Sequence, residues 1–213
     1  MYKIINFIRM VYRGKTLRRI QFNSKLEIWS RDFYGSILDL GAGSKDSLKK
    51  FLPEGSTVIS TDISDKEGVM GVDLNKPLPF EVGSMDVVTL FFVLYILDSQ
   101  EATLKEIYRI LKPGGKLYIA TPLIAAEIRE PHDYCRLTYE GLERLFQESG
   151  FKKFTVERSG GRASSAAVLL HPLFFFNTVR LLIFALCLGI DHILRNKDIH
   201  NPVPHTYFCV LEK

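Results

Sequence analysis

From Ser36 onward, short apolar runs alternate with segments of helical pattern, and that alternation leaves few folds open. The runs are Ile37-Leu38-Asp39-Leu40, Val58-Ile59-Ser60-Thr61, Gly71-Val72-Asp73, Asp86–Phe92, Lys116–Ala120, Phe154-Thr155-Val156 and Thr206–Leu211. Between the fourth and fifth, residues 99–111 place Ala102, Ile107, Ile110 and Leu111 near helical spacing and stop before Pro113-Gly114-Gly115, a helix stop and tight turn. A further helix over 138–149 opens on Thr138 as N-cap, carries Glu140 in its first turn and ends at Gly150. Short apolar strands separated by helices form a sheet buried on both faces. The expected class is α/β, a doubly wound, mostly parallel seven-stranded sheet with a C-terminal apolar helical insertion before the last strand. The expected organisation is a basic amphipathic arm (1–35), a core (36–160), the insertion (161–203) and the final strand of the core sheet (204–213).

The first run leads into Gly41-Ala42-Gly43-Ser44 and then a helix over about 45–52. Glycines there let the backbone approach a ligand, and a helix N-terminus favours polar or anionic groups. A dinucleotide fingerprint needs a third glycine where Asp46 stands, and a carboxylate facing a pyrophosphate disfavours NAD and FAD. Acid-x-Gly-x-Gly suits a nucleoside that carries an amino acid instead. The second run ends in Thr61-Asp62, an acid placed to accept from both ribose hydroxyls. The third ends in Val72-Asp73-Leu74, where a carboxylate can accept from an adenine amine beside an apolar side chain. Asp86 opens the fourth strand, where an acid caps neighbouring backbone.

These segments, with Leu78-Pro79-Phe80, Met85-Asp86-Val87-Val88, Leu111-Lys112-Pro113-Gly114-Gly115, Thr121-Pro122, Glu130–Thr138, Gly141-Leu142 and Ser149-Gly150-Phe151, resemble a class I S-adenosylmethionine-dependent methyltransferase of the methyltransferase type 11 group. The resemblance spans about 36–160 plus the last strand and implies a Rossmann-like methyltransferase fold with S-adenosyl-L-methionine as cofactor. It implies that Gly41, Ala42 and Gly43 pass under the methionine part while Asp39 helps hold its amino group. Asp62 and Ile63 would take the ribose, Asp73 and Leu74 the adenine, and Phe91 or Phe92 the methionine side. Two departures stand out: Lys45 replaces a frequent glycine, and Leu94-Tyr95 replaces a frequent Glu-His.

After the fifth strand, His132 is the candidate catalytic base, an imidazole able to take a proton from the acceptor. Tyr95, Asp133, Tyr134 and Arg136 are candidates for the acceptor loop. The competing reading has Asp133 pair with Arg136 to fix the loop while Thr138 caps the following helix. Methyl transfer from an activated sulfonium can run on positioning alone.

Charge is uneven. Residues 1–35 hold eight basic and two acidic side chains, a net of +6, whereas the whole chain carries +4. Arginines recur where a signal peptide would need its apolar stretch. Cys135, Cys187 and Cys209 have no CxxC or Cys/His spacing, so neither a disulfide framework nor a metal site is expected. In the arm, Ile4, Ile5, Phe7, Ile8, Val11 and Tyr12 leave Lys3, Arg9, Arg13 and Lys15 for lipid headgroups. In the insertion, Leu173–Ile190 is about 27 Å as a helix, close to a bilayer core. Asn177, Arg180, Asp191 and Arg195 interrupt the region at helical spacing, which suits an interface helix better than a span. The expectation is a cytoplasmic protein, peripheral on the inner membrane face through residues 1–20 and 163–195. A cap over the substrate pocket and a homodimer are the alternative uses of the insertion. The acceptor is expected to be small, lipid-linked or glycan-like. Nucleic acid is disfavoured, since Phe91-Phe92-Val93-Leu94 stands where base methyltransferases carry Asn/Asp-Pro-Pro-Tyr. A non-catalytic adapter and an RNA methyltransferase remain as rival readings.

Overall fold

Seven strands order as β3-β2-β1-β4-β5-β7-β6 in a computed structural model that describes residues 2–43, 48–53, 55–128, 132–194 and 201–213. The strands are β1 (Ile37–Leu40), β2 (Val58–Asp62), β3 (Met70–Gly71), β4 (Met85–Phe91), β5 (Leu111–Pro122), β6 (Lys153–Ser159) and β7 (Thr206–Glu212). The helices are α1 (Tyr2–Tyr12), α2 (Leu17–Trp29), α3 (Gln100–Ile110), α4 (Tyr139–Glu148), α5 (Arg162–Leu169) and α6 (Asn177–Leu194).

Strand β1 lies between β2 and β4, all parallel, with Asp39 beside Ser60 and Thr89. Every residue of β1 is buried, the expected consequence of helices on both faces of a parallel sheet. At its two ends β7 bonds β5 in opposite order, Lys213 N–H to Gly115 O and Leu123 N–H to His205 O, so β7 runs antiparallel and the sheet is mixed. The Pro113-Gly114-Gly115 turn lies inside β5. Between the pairs Met85–Leu111 and Val87–Lys116 the partner advances two residues while β5 advances five, a bulge that accommodates the turn. Lys213 caps the end of α3 beside it, its Nζ donating to Arg109 O at 3.2 Å and Leu111 O at 2.8 Å.

Helix α3 opens on Ser99, whose side chain accepts from the Ala102 amide, and α4 opens on Thr138, which accepts from Gly141 N–H. Of the helix expected over about 45–52, the described part is a 3-10 turn, Lys49–Phe51; Ser44, Lys45 and Asp46 lie outside the described residues. The N-terminal arm forms two helices. The insertion forms α5, a 3-10 turn at His171–Leu173 and α6, with Arg195 outside the described residues.

The chain divides into two compact units. One comprises Glu27–Thr121, Glu127–Glu157 and Tyr207–Lys213 and holds most of the sheet. Its core includes Trp29, whose ring meets Tyr118 at 5.3 Å and Phe208 at 5.6 Å edge-on. The other comprises Met1–Leu26, Pro122–Ala126 and Arg158–Thr206. Its core gathers Met10, Val11, Leu17, Ile20, Ala167 and Phe184 from α1, α2, α5 and α6.

Candidate active site

The carboxyl ends of parallel strands and the turns that follow them are where an open α/β sheet binds ligands. Here those ends line one cavity of about 560 Å³, within the range of small-molecule sites. Its wall holds Gly41 after β1, Asp62 and Ile63 after β2, Val72 to Asn75 after β3, Phe91 to Val93 and Tyr95 to Leu97 after β4, and His132.

The turn after β1 needs its glycines for two reasons. Gly41 has φ +74° and a Cβ there would stand 2.3 Å from Val93 Cγ2, so both conformation and space demand glycine. Gly43 has φ +77° with nothing within 4 Å of a Cβ position, an open approach for a ligand. The Gly43 amide donates to Asp62 Oδ2 at 2.8 Å, which holds the acid of β2 at the turn. Ala42 is held by its amide, which donates to Thr61 O at 2.8 Å.

Asp39 is buried and accepts from the Thr89 hydroxyl through Oδ1 at 2.6 Å; neither Asp39 nor Ala42 nor Gly43 lines the cavity. Asp73 lines it and is turned by its own loop, accepting from Asn75 N–H at 3.0 Å and from Lys76 Nζ at 3.2 Å. The Asn75 amide first and Lys76 second hold its carboxyl below the usual range. Helix α3 fixes the same loop. The buried Thr103 hydroxyl donates to Leu74 O at 3.0 Å, and Arg109 donates to Leu78 O and Phe80 O.

Phe92 carries the single positive φ of a non-glycine residue among those described, +59°. Bulky residues enter this region only under constraint. Here its amide donates to Ala120 O at 2.7 Å, so the edge of β5 holds the strained turn that places Phe91 and Phe92 on the cavity wall.

The loop before α4 is tied to the same wall. The amides of Tyr134 and Cys135 donate to Tyr95 O at 3.0 and 3.3 Å. Arg136 pairs with Asp133, and its guanidinium lies 6.0 Å from the Tyr95 ring centre. Asp133 also accepts from Ile128 N–H at 3.1 Å. The side chain of His132 stacks on Tyr134 with ring centres 4.9 Å apart and faces the cavity, whereas Asp133, Tyr134 and Arg136 do not line it. Of that stretch, Glu130 and Pro131 lie outside the described residues.

Asp86 is not part of the site. Burial pushes its carboxyl up, but the Lys112 ammonium at 2.6 Å and the Ser36 amide at 2.8 Å outweigh that and hold it below the usual range. It clamps the start of β4 to the chain entering β1. Among the described residues no group of three or more His, Cys, Asp or Glu side chains gathers as a metal site.

Sequence reasoning missed Val72, Asn75, Val93, Ile96 and Leu97 as wall residues. Val72 and Asn75 flank a motif already recognised and could have been included. The apolar Val93, Ile96 and Leu97 carry no chemical signature, and only the turn after β4 brings them to the cavity.

Comparison with known proteins bears on the family and the fold. Residues 13–156 match the family model described as "Methyltransferase domain". The demethylmenaquinone methyltransferase of Streptomyces griseus is 33% identical over 93 residues, which cover 39% of this chain and 40% of that protein. The ubiquinone/menaquinone biosynthesis C-methyltransferase UbiE of Citrobacter koseri is 34% identical over 103 residues, 39% of this chain and 41% of its own. The chain thus matches these curated relatives over about two fifths of their length. The crystal structure of a SAM-dependent methyltransferase from Archaeoglobus fulgidus shares the fold, with TM-score 0.63 at 17% identity over 97% of this chain and 99% of that one. Fold, glycine turn and family model converge: the chain belongs to the methyltransferase domain family, the class I S-adenosylmethionine-dependent methyltransferases.

Proposed function

We propose that this chain methylates a small, lipid-soluble aromatic acceptor of the quinol type at a membrane face. The observation that carries the reading is the single cavity reached by Gly41, Asp62, Asp73, Phe91, Phe92, Tyr95 and His132. Its wall includes Asp62, Asp73 and the glycine turn, as a nucleoside with an amino-acid tail requires. It also includes Phe91, Phe92, Tyr95, Ile96 and Leu97, which offer mainly ring faces and apolar surface rather than the many hydroxyl partners a glycan needs. The names of the curated quinone-pathway relatives support the same class of acceptor.

When bound, S-adenosylmethionine supplies a methyl group on an already activated sulfonium. The residues of this chain position and shield. Asp62 accepts ribose hydroxyl protons with the lone pairs not used by Gly43, and Asp73 and Leu74 receive the adenine. Asp39 acts from beneath, fixed by Thr89, and orients the turn rather than touching the ligand. Phe91 and Phe92 exclude water from the reacting centre, while Tyr95 orients the acceptor. His132 takes the proton that the acceptor gives up.

Calorimetry with S-adenosylmethionine on the whole chain tests the cofactor half. Micromolar affinity, lost in Asp62→Ala, is the expected result; absence of binding by folded protein sinks the reading and favours the adapter. Transfer of labelled methyl to a short-chain demethylated naphthoquinol tests the acceptor half. Binding of cofactor without transfer to any quinol would move the acceptor to another class.

A further inference from the structure

Helix α6 is apolar on two sides, which is unusual for a soluble surface helix. Its inward face combines the buried Phe184 with Asn177, Arg180 and Asp191, and its outward stripe is apolar as well, whereas a surface helix usually turns polar residues outward. Inward, Arg180 donates to Phe174 O at 2.9 Å and to Asn177 Oδ1 at 3.3 Å, and Asn177 donates to Tyr12 O at 3.4 Å. Near the other end, the Asp191 carboxylate accepts from the amides of Gly161, Ala163 and Ser164 at 2.9–3.0 Å and so caps α5. Outward stand Val179, Leu182, Leu186, Ile190 and Ile193, at steps of three and four residues. Leu182 is 71% exposed and Ile193 80%. The same side chains that interrupt the apolar pattern are therefore consumed within the protein, and nothing polar is left to face water along that stripe.

Helix α1 likewise exposes apolar side chains besides those it buries. Phe7, Met10 and Val11 fill the core with Phe184, yet Ile4, Ile5, Ile8 and Tyr12 are exposed on the opposite side. At the turn before α6, Phe175 and Phe176 are 80% and 71% exposed. Arg9 and Arg13, one turn apart, flank the apolar face of α1, and Lys15 follows; all three are exposed. Residues 1–26 hold seven basic side chains and no acidic one, and 163–190 hold no acidic one either. An apolar face edged by cations, with exposed aromatics and no acid, complements an anionic lipid interface in both charge and polarity.

We propose that the outer faces of α1 and α6, with Phe175 and Phe176, form a monotopic docking surface that lies in the headgroup region of an anionic bilayer. Helix α6 is long and apolar enough to cross a membrane by length and composition. It does not span, because Asn177, Arg180 and Asp191 would have to abandon their partners in α1, the turn before α6 and the start of α5. The cations reach phosphate while the isoleucines, leucines and phenylalanines enter the acyl boundary. The proposal does not depend on the identity of the methyl acceptor.

The test is flotation of the full chain with vesicles of phosphatidylglycerol and phosphatidylcholine, and with phosphatidylcholine alone. Anionic vesicles should carry the protein, with binding weakened by raising salt. Phe175→Ser/Phe176→Ser should lower partitioning about tenfold or more, and Arg9→Glu/Arg13→Glu should abolish the preference for anionic lipid. Both variants change exposed side chains, and unaltered S-adenosylmethionine binding establishes that the sheet unit is intact. Protein that stays unbound with all vesicles, or variants that bind like the parent, overturn the proposal. A concentration-dependent dimer lost in the phenylalanine variant, without lipid binding, assigns the face to a second copy. Retention of the expressed chain in membranes after alkaline carbonate washing assigns it to a span.

Discussion

At the residue scale, the two glycines after β1 look alike in sequence but stand in different surroundings. Gly41→Ala meets both a positive φ and the Val93 side chain, so loss of about 2–4 kcal/mol of stability is expected together with loss of cofactor binding. Gly43→Ala meets positive φ alone and should lose only about 1–2 kcal/mol. Urea unfolding of the two variants separates them. His205 is the residue-scale finding that no motif announced. It is buried between Thr206 Oγ1 at 2.9 Å and Gln21 Oε1 at 2.6 Å, and burial first and Arg18 second push its pKa down to about 3. The unfolded chain, with a histidine near 6.5, therefore binds the extra proton between pH 6.5 and 3. Stability from this group is complete above about pH 6.5 and is lost as the pH falls, by at most about 1.4 kcal/mol per unit. Acid unfolding should be less steep between pH 6 and 4 in His205→Gln; an unchanged slope would place the titration elsewhere.

At the element scale, α3 supports the cavity without entering it. Thr103 is buried, and replacing it by Val leaves Leu74 O without that donor. A stability loss of about 1–3 kcal/mol is expected. Because the freed carbonyl belongs to the adenine-side loop, a several-fold weaker affinity for S-adenosylmethionine should accompany it, measured by calorimetry. Helix α5 depends on α6 in the same way. Gly161 at its N-cap has no side chain to offer, and Asp191 supplies the acceptor from the neighbouring helix. Asp191→Ala should cost about 1–2 kcal/mol in unfolding experiments, whereas Asp191→Asn, which keeps an acceptor oxygen, should cost less. Helix α3 was legible as a periodic segment, and α5 only as part of the apolar insertion. Their supporting bonds were not, since a Thr or Asp at helical spacing carries no mark of the carbonyl or amide it will meet.

At the scale of the whole molecule, the cavity lies within one compact unit, the one that holds most of the sheet. A ligand that binds only the folded form at a hundred times its dissociation constant stabilises by about 2.7 kcal/mol. For a chain of this size that is a rise of roughly 5–10 °C in the melting temperature. S-adenosylmethionine should produce that shift in a thermal scan, with Asp62→Ala showing none. An equal shift in both would mean that the ligand binds away from this turn.

The seven strands, the glycine turn, the N-cap at Thr138 and the placement of Asp62 and Asp73 after β2 and β3 were readable in the chain alone, because each is written in local periodicity or in a residue type with few uses. The pairing of Asp133 with Arg136 was readable for the same reason, being three residues apart. The antiparallel course of β7 and the bulge around Pro113-Gly114-Gly115 depended on which strands become neighbours. The bond of the buried Asp39 to Thr89 could not be read from the chain, because it depends on β4 coming to lie beside β1. The spacing of Asn177, Arg180 and Asp191 read as one seam along an interface or packing helix, and in the fold these side chains bond to Tyr12, Phe174 and the start of α5. Sequence spacing fixes which residues share a helix face, but only the packing of α1 and α5 decides which face turns inward.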